Sequence, residues 1–156
     1  MAIIRPGRAD EPQVRSLLAE LDRYLAALYA PEDNHILDES ALLRDDVSFF
    51  VAERDGAVVG CGALRAMPPA PGDVAYGEVK RMVVSPAVRG QGIARRLLQR
   101  LEAAAIERAL PVARLETGRD QHEAVRLYER AGYVPRGSFG GYPDNGLSLF
   151  YEKRLA

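Results

Sequence analysis

The stretch from Val83 to Leu98 constrains this chain most, because it reads as a strand, a glycine-bearing loop and a helix in direct succession. The preceding residues, 78–84, are mostly β-branched or apolar, and Pro86 lacks the N–H that a strand needs, so the strand is expected to end there. From Ile93 onward, apolar residues recur with helical spacing. Another strand follows at residues 112–117, and this strand–helix–strand order predicts a right-handed crossover between parallel neighbours.

The loop between strand and helix, Arg89-Gly90-Gln91-Gly92-Ile93-Ala94, has the composition of an anion site. Its glycines let the backbone approach a ligand closely. The first N–H groups of a helix have no partner within the helix and lie at the positive end of its dipole, where a phosphate is the usual guest. The alternative is a plain tight entry into a helix. The spacing matches neither a Walker loop nor the dinucleotide fingerprint.

Several motifs together carry a resemblance to a known family. Arg89-x-x-Gly92-x-Ala94, directly after Met82-Val83-Val84-Ser85-Pro86, resembles the acetyl-CoA signature of the GCN5-related N-acetyltransferase (GNAT) superfamily. The resemblance continues through Leu115–Gly118, Ala124–Tyr133 and Phe150–Lys153, and covers about residues 47–154. It implies an α/β (α+β) fold of three layers. A central mixed, largely antiparallel sheet of about six to seven strands would carry helices on both faces.

The resemblance also implies acetyl-CoA as co-substrate. The backbone of the strand before the loop, splayed from the strand at Leu115, would take the pantetheine arm, and its N–H groups could polarise the thioester carbonyl. Many relatives carry an asparagine early in the penultimate helix; here Gln121 stands in its place, or the contact is absent. The residues expected to bind the cofactor are Met82, Val83, Val84, Arg89, Gly90, Gln91, Gly92, Ile93, Ala94 and Gln121.

Acetyl transfer to an amine needs a base, because a free amine is mostly protonated near neutral pH. Glu78 is the first candidate: strand alternation predicts one face shared with Lys80, Met82 and Val84, and the resemblance supports an acid near this position acting through water. The alternative is that Glu78 merely pairs with a neighbouring cation. Glu116 is the second candidate for the base.

Tyr128 is the candidate proton donor to the leaving thiolate. It matches the tyrosine of the family's Leu-Tyr-x-x-x-Gly-Tyr/Phe segment, which lies near the cofactor sulfur in many members. The alternative is aromatic packing on the apolar stripe of a helix.

The acceptor amine is expected to meet the segment that breaks the first helix. In the family, the region after the first helices lines the acceptor side. Tyr29, Glu32, Asn34 and His35 are therefore candidates for substrate contact, and an ordinary polar loop is the alternative. Leu37 to Arg44 is expected to include a short helix.

Composition limits the remaining classes. Lys plus Arg number 21 and Asp plus Glu number 22, a balance that argues against a nucleic-acid partner. The lone cysteine, Cys61, excludes a disulfide scaffold and favours a reducing, cytoplasmic setting, and no nearby residues suggest a metal. No signal peptide or membrane-spanning run is visible. Phe150 and Tyr151 could pair across a homodimer if their strand is an edge.

Residues 1–156 are therefore expected to form one domain. The predicted function is an acetyl-CoA-dependent N-acetyltransferase that acts on a primary amine of a small molecule. Three alternatives remain open at this stage. One is acetylation of a protein or peptide amine, and another is a catalytically inactive CoA-binding protein of the same fold. The third is a protein that binds some other phosphate-bearing ligand, because the loop geometry is not unique to CoA.

Overall fold

A seven-stranded sheet organises the structure, which is a computed structural model that describes residues 1–155. The strands lie in the order β1-β2-β3-β4-β5-β7-β6; β4 and β5 are parallel and every other neighbouring pair is antiparallel. The mixed, largely antiparallel sheet predicted from the resemblance is thereby confirmed. The strands are β1 Ile3–Pro6, β2 Val47–Arg54, β3 Ala57–Met67, β4 Tyr76–Val84, β5 Val112–Gly118, β6 Val134–Arg136 and β7 Ser148–Arg154.

Helices cover both faces of the sheet, as expected. The helices are α1 Pro12–Leu28, α2 Glu39–Leu42, α3 Ile93–Glu107 and α4 His122–Arg130, with short 3-10 turns at Pro31–Asp33 and Pro86–Val88. Helices α1 and α2 bury one cluster around Val14 and Leu17 against one face, and α3 and α4 bury a larger cluster around Leu97, Leu101 and Tyr128 against the other. Burying each large aliphatic side chain contributes roughly 1.5–3 kcal/mol to the folded state.

The β2–β3 hairpin closes at Asp55-Gly56, a residue pair that favours a tight hairpin turn. Both residues have positive φ, 52° and 79°, as a two-residue turn of type I′ requires. The register of β3 shifts near its two glycines, first against Ala52 and Glu53 of β2 and then against β4 between Cys61 and Ala63. Glycines inside a strand are typical of bulges, and the pairing of β3 is irregular on both of its sides.

Strands β4 and β5 pair only at their beginnings and then diverge. Their parallel register ends at Glu78 and Arg114, so the later part of β4 has no strand partner on the β5 side within residues 1–155. Backbone N–H and C=O groups along this opening are free to receive a ligand. The splay near Leu115 that the resemblance implies is thus part of the fold.

The strand that carries Phe150 and Tyr151 is not an edge. In β7, both residues pair with β5 on one side and with β6 on the other, and both are buried. The edge-strand expectation behind the suggested homodimer was therefore wrong, because the short β6 covers that side. Within residues 1–155, no helix is long and apolar enough to cross a membrane.

Cys61 is predicted to be chemically inert in the native protein. The side chain is fully buried in β3, and burial raises the pKa of its thiol to about 12. Only the thiolate reacts with electrophiles, and its population is negligible at neutral pH. Iodoacetamide at pH 7.5 is therefore expected to label Cys61 only after denaturation, as read by mass spectrometry. Rapid labelling of the native protein would contradict this burial.

Candidate active site

The loop between β4 and α3 has the backbone that the sequence predicts. Gly90 and Gly92 both adopt left-handed conformations, with φ of 80° and 77°. Gly92 immediately precedes α3, and its carbonyl accepts the first helical bond, from the N–H of Arg96. The N–H groups of the first helical turn therefore have no helical partner. No atom lies within 4 Å of the point where a Cβ on Gly92 would stand, so the space before the helix is open.

A cavity of about 590 Å³ extends from this loop along the diverging part of β4 to helix α4. Four arginines and one glutamate line it, so its charge suits a polyanionic ligand. Arg89 stays largely exposed, and its Nη1 lies 3.4 Å from the glutamate carboxylate. The charged lining residues are Arg89, Arg95, Arg126, Arg130 and Glu123.

Most of the predicted cofactor residues lie around this cavity. The loop and strand residues that line it are Met82, Val83, Val84, Arg89, Gly90, Gly92, Ile93 and Ala94, and Gln121 joins them from the start of α4. Gln91 does not line the cavity; its Oε1 accepts a hydrogen bond of 2.6 Å from Arg54 Nη1. A role for Gln91 in binding would therefore have to use its backbone.

A bulge in β4 changes which side chains share a face. Arg81 has a φ of 58°, and the register against β3 passes from Lys80 directly to Val83. Alternation breaks at this point. Glu78 and Lys80 lie on the α1 face, whereas Met82 and Val84 pack into the α3 cluster on the other face. The prediction that all four share one face was wrong, because the extra residue reverses the alternation.

A second, smaller cavity of about 110 Å³ lies on the α1 side of the same opening. Its walls come from the α1–α2 connection, β4, β5 and the start of β7. The two cavities share five lining residues, so they adjoin each other at these side chains. The shared residues are Leu21, Met82, Gln121, Ala124 and Tyr128.

Tyr128 stands at this junction. Its side chain is 6% exposed, and its hydroxyl makes no hydrogen bond to any other residue that the structure describes. Burial raises the pKa of the phenol above its ordinary value, so the group is protonated at neutral pH. The ring also packs edge-on against Tyr133, with centroids 5.8 Å apart. The hydroxyl has a proton to donate and no internal acceptor for it.

Glu78 lies beside the smaller cavity rather than on its wall. Its carboxylate accepts a short hydrogen bond from the Tyr142 hydroxyl and lies 3.6 Å from Lys80 Nζ. Lys80 also donates to Tyr142 Oη at 2.8 Å and to the carbonyl of His35 at 3.0 Å. Burial and the neighbouring Glu78 raise the pKa of the Tyr142 phenol. This network fastens the β6–β7 loop and the α1–α2 connection to β4.

Glu116, the second candidate base, does line the smaller cavity. Its Oε2 accepts a hydrogen bond of 2.6 Å from Ser148 Oγ and lies 3.6 Å from His35 Nδ1. That ring nitrogen is buried and has no hydrogen-bond partner among residues 1–155. A carboxylate therefore lies in the cavity wall beside an imidazole whose Nδ1 is free to make a hydrogen bond.

The predicted acceptor residues Tyr29, Asn34 and His35 all line the smaller cavity, whereas Glu32 does not and its neighbour Asp33 does. Tyr29 Oη accepts the backbone N–H of residue 120 at 3.1 Å. Its ring lies so close to Gly118 that a Cβ there would stand 1.9 Å from the hydroxyl oxygen. Asn34 Nδ2 donates to the carbonyl of residue 25 at 3.4 Å. Gly118 therefore allows the α1–α2 connection to seat against β5.

Comparison with known proteins identifies the family. Residues 14–133 match the Acetyltransferase (GNAT) family. An IAA acetyltransferase from Azospirillum brasilense is 49% identical over 142 residues, which make up 91% of this chain and 90% of that protein. The chain belongs to the GNAT family of acetyltransferases.

Solved structures of other GNAT proteins share the fold. A Klebsiella pneumoniae protein assigned to the acyl-CoA N-acyltransferases is 34% identical, has a TM-score of 0.82, and covers 100% of this chain and 99% of its own. The PaiA N-acetyltransferase of Thermoplasma acidophilum, solved in complex with coenzyme A, is 18% identical with a TM-score of 0.75. The structural match covers 99% of each of the two chains. At this sequence identity the similarity concerns the fold alone.

Sequence reasoning missed several residues of this GNAT site. Arg81 was considered only as a pairing partner for Glu78, because nothing in a strand-like run announces a residue with positive φ. Tyr142 lies in a glycine-rich turn, where an aromatic residue between Gly141 and Pro143 could have been noticed as an anchor. Ser148 gave no signal at all. Within residues 1–155, no group of three or more His, Cys, Asp or Glu side chains is placed to hold a metal ion.

Proposed function

We propose that this GNAT protein is an acetyl-CoA-dependent N-acetyltransferase whose acceptor is a primary amine of a small molecule. The observation that carries the proposal is the meeting of two cavities of different character at Tyr128. The larger has a cationic lining and begins at a helix N-terminus, which suits the phosphates of CoA. The smaller is polar and has room for a small acceptor.

The part of β4 that diverges from β5 would position the cofactor. The amide-rich pantetheine arm can add to the free edge of β4 beyond Glu78, as peptides add to sheet edges. This path leads from the loop at Gly92 towards Tyr128. The N–H groups of Val83 and Val84 are the candidates to polarise the thioester carbonyl, since backbone donors aimed at a developing oxyanion stabilise the transition state.

Transfer is direct. The neutral amine attacks the carbonyl carbon, the carbon–sulfur bond breaks, and the acetyl group becomes an amide on the acceptor. Glu116 takes the proton that the amine loses, directly or with His35, because its carboxylate faces the acceptor cavity. Glu78 stays the alternative base, acting through water. Tyr128 gives a proton to the departing thiolate.

The small acceptor cavity favours a small amine over a protein or peptide. Its volume of about 110 Å³ is bordered by the α1–α2 connection, and Leu147 and Ser148 at the end of the β6–β7 loop also line it. A volume of this size suits a small amine better than a lysine with its flanking protein backbone. The relative named an IAA acetyltransferase is in keeping with a small acceptor. We place the activity in the cytoplasm, because a free cysteine such as Cys61 is typical of proteins in a reducing compartment.

Thermal unfolding with acetyl-CoA, with ATP as the control, tests cofactor binding first. A ligand that binds only the native state at about 100 times its Kd adds ~2.7 kcal/mol, which raises the Tm of a domain this size by roughly 5–10 °C. A shift with acetyl-CoA but not with ATP supports the proposal, and thiol release with primary amines then tests turnover. A protein that binds acetyl-CoA but acetylates no amine would be an inactive CoA-binding member of the family.

Tyr128→Phe is expected to lower kcat about 10-fold or more while the KM for acetyl-CoA changes little. The hydroxyl has no hydrogen-bond partner among residues 1–155, so its removal should leave thermal stability unchanged. Steady-state thiol release and a melting curve measure both effects. Equal losses in affinity and turnover, or a lower Tm, would show that the ring acts by packing.

A further inference from the structure

We propose that Arg81 is a specificity residue that binds a carboxylate of the acceptor, so that the substrate class is amines which also carry a carboxylate group. This inference rests on the proposed function, because it describes the acceptor cavity of that enzyme. The inference concerns the part of the acceptor molecule that lies away from its reacting nitrogen.

The bulge is what brings Arg81 to the cavity. In a regular strand, successive side chains point to opposite faces. The positive φ of Arg81 instead turns both Lys80 and Arg81 to the acceptor cavity, and both line it. A positive φ is costly for a residue other than glycine and persists where the surrounding structure requires it, often at binding sites.

Lys80 and Arg81 differ in how fully their hydrogen-bond donors are paired. Lys80 donates to Tyr142 and to the carbonyl of His35 and lies against Glu78, so its ammonium is committed to the network beside the cavity. The side chain of Arg81 makes one hydrogen bond within residues 1–155, from Nη1 to Asp22 Oδ1 at 2.6 Å. Its side chain is 7% exposed, and its Nε is buried without a partner.

A guanidinium offers five N–H donors in a flat fork that matches a carboxylate. Leaving such a buried donor unpaired is costly, so an acceptor is expected when the site is filled. The Asp22 carboxylate is half-exposed on α1 and engages only one edge of the fork. A carboxylate from the cavity would complete the pairing.

The wall of the smaller cavity opposite Arg81 carries negatively charged side chains. Glu116 lies on β5 across the opening, with the unpartnered His35 Nδ1 3.6 Å from its Oε2, and Asp33 also lines the cavity. An acceptor with an amine at one end and a carboxylate at the other would therefore meet the anionic wall with its nitrogen and Arg81 with its oxygens. A diamine would leave Nε of Arg81 without a hydrogen-bond partner.

The test compares matched acceptors on the wild type and on Arg81→Gln. The probes are ω-amino acids paired with the amines that lack only the carboxylate, such as β-alanine with ethylamine, 4-aminobutyrate with n-propylamine, and 5-aminopentanoate with n-butylamine. We expect kcat/KM for the better carboxylate-bearing partner to exceed that of its match by about 10-fold or more, and Arg81→Gln to remove this preference by lowering kcat/KM for the carboxylate-bearing partner far more than for its match.

Two further variants separate binding from structure. Asp22→Asn removes the ion pair but leaves the guanidinium in place, so the carboxylate preference should survive it. Arg65→Gln, an arginine of β3 outside the cavity that pairs with Asp46, should change nothing in the preference. If Arg81→Gln does not fold, the proposal is tested by the preference of the wild type for carboxylate-bearing acceptors and by the change of that preference in Arg81→Lys.

Several outcomes would overturn the proposal. Wild-type enzyme that prefers the carboxylate-free amines, or that acetylates no carboxylate-bearing amine of the panel, sinks it. So does an equal loss in Arg81→Gln and Asp22→Asn, which would make Arg81 an anchor for α1. The proposed function is judged separately, by the acetyl-CoA melting shift and by turnover of the carboxylate-free amines, and it can stand while this inference fails.

Discussion

Gly92→Glu is expected to abolish acetyl-CoA binding while the protein stays folded. Gly92 holds a φ of 77° at the entrance to α3, where any other L-residue is strained by roughly 1–2 kcal/mol. Its missing Cβ faces open space, so the new side chain would project into the region in front of the first helical N–H groups. A carboxylate there occupies the anion site and repels the phosphates of the cofactor.

Calorimetry and the melting shift with acetyl-CoA measure this prediction, and we expect affinity to fall about 100-fold or more, because both the backbone contacts and the charge of the site are lost. Gly72→Glu is the matched control: Gly72 has a φ of 78° and open space around it, but lies in the β3–β4 loop outside both cavities. The control carries the same strain and charge and should bind normally. Unchanged binding by Gly92→Glu would overturn the phosphate assignment.

Glu116→Gln is expected to lower kcat/KM about 100-fold at neutral pH, which is the usual scale for losing a general base. The amide keeps the shape and can still pair with Ser148, but it cannot accept the proton of the amine. The loss should shrink at about pH 9–10, since a larger fraction of the acceptor amine is then neutral in solution. A pH series of thiol-release rates for wild type and variant measures this convergence.

Glu78→Gln is the matched comparison for the base. Its side chain is committed to Tyr142 and Lys80 and does not line the acceptor cavity, so we expect a smaller loss of activity, together with a lower Tm because Lys80 loses its counter-charge. The opposite pattern, with Glu78→Gln nearly inactive and rescued at high pH and Glu116→Gln active, would return the role of base to Glu78.

Local features of this protein were predictable because their causes are local. The positive φ of Gly90 and Gly92 follows from the freedom that glycine has and other residues lack. The Asp55-Gly56 turn selects its own hairpin, and the period of apolar residues places α3 with its buried face towards the sheet. The motifs around these elements, read together, were enough to indicate the GNAT family.

The details of the acceptor side depended on contacts between distant segments, and no local pattern encodes them. The bulge at Arg81 arises where β4 passes Gly62 of β3, and a Cβ on that glycine would stand 2.7 Å from Met82 Sδ. Because alternation was assumed along the whole strand, the faces of Met82 and Val84 were assigned wrongly. The pairing of His35 with Glu116 likewise exists only because the α1–α2 connection folds back onto β5.

The sequence by itself therefore determined the glycine-bearing loop before α3, the order of the strands along the chain and the family, since each depends on backbone freedom or on side-chain period within a short segment. Only the tertiary structure decided that Glu116 rather than Glu78 lines the smaller cavity, that Tyr128 lies between the two cavities, and that Arg81 turns towards the smaller one. Those outcomes depend on strand register and on loop closure, which long-range packing fixes once the whole sheet has formed.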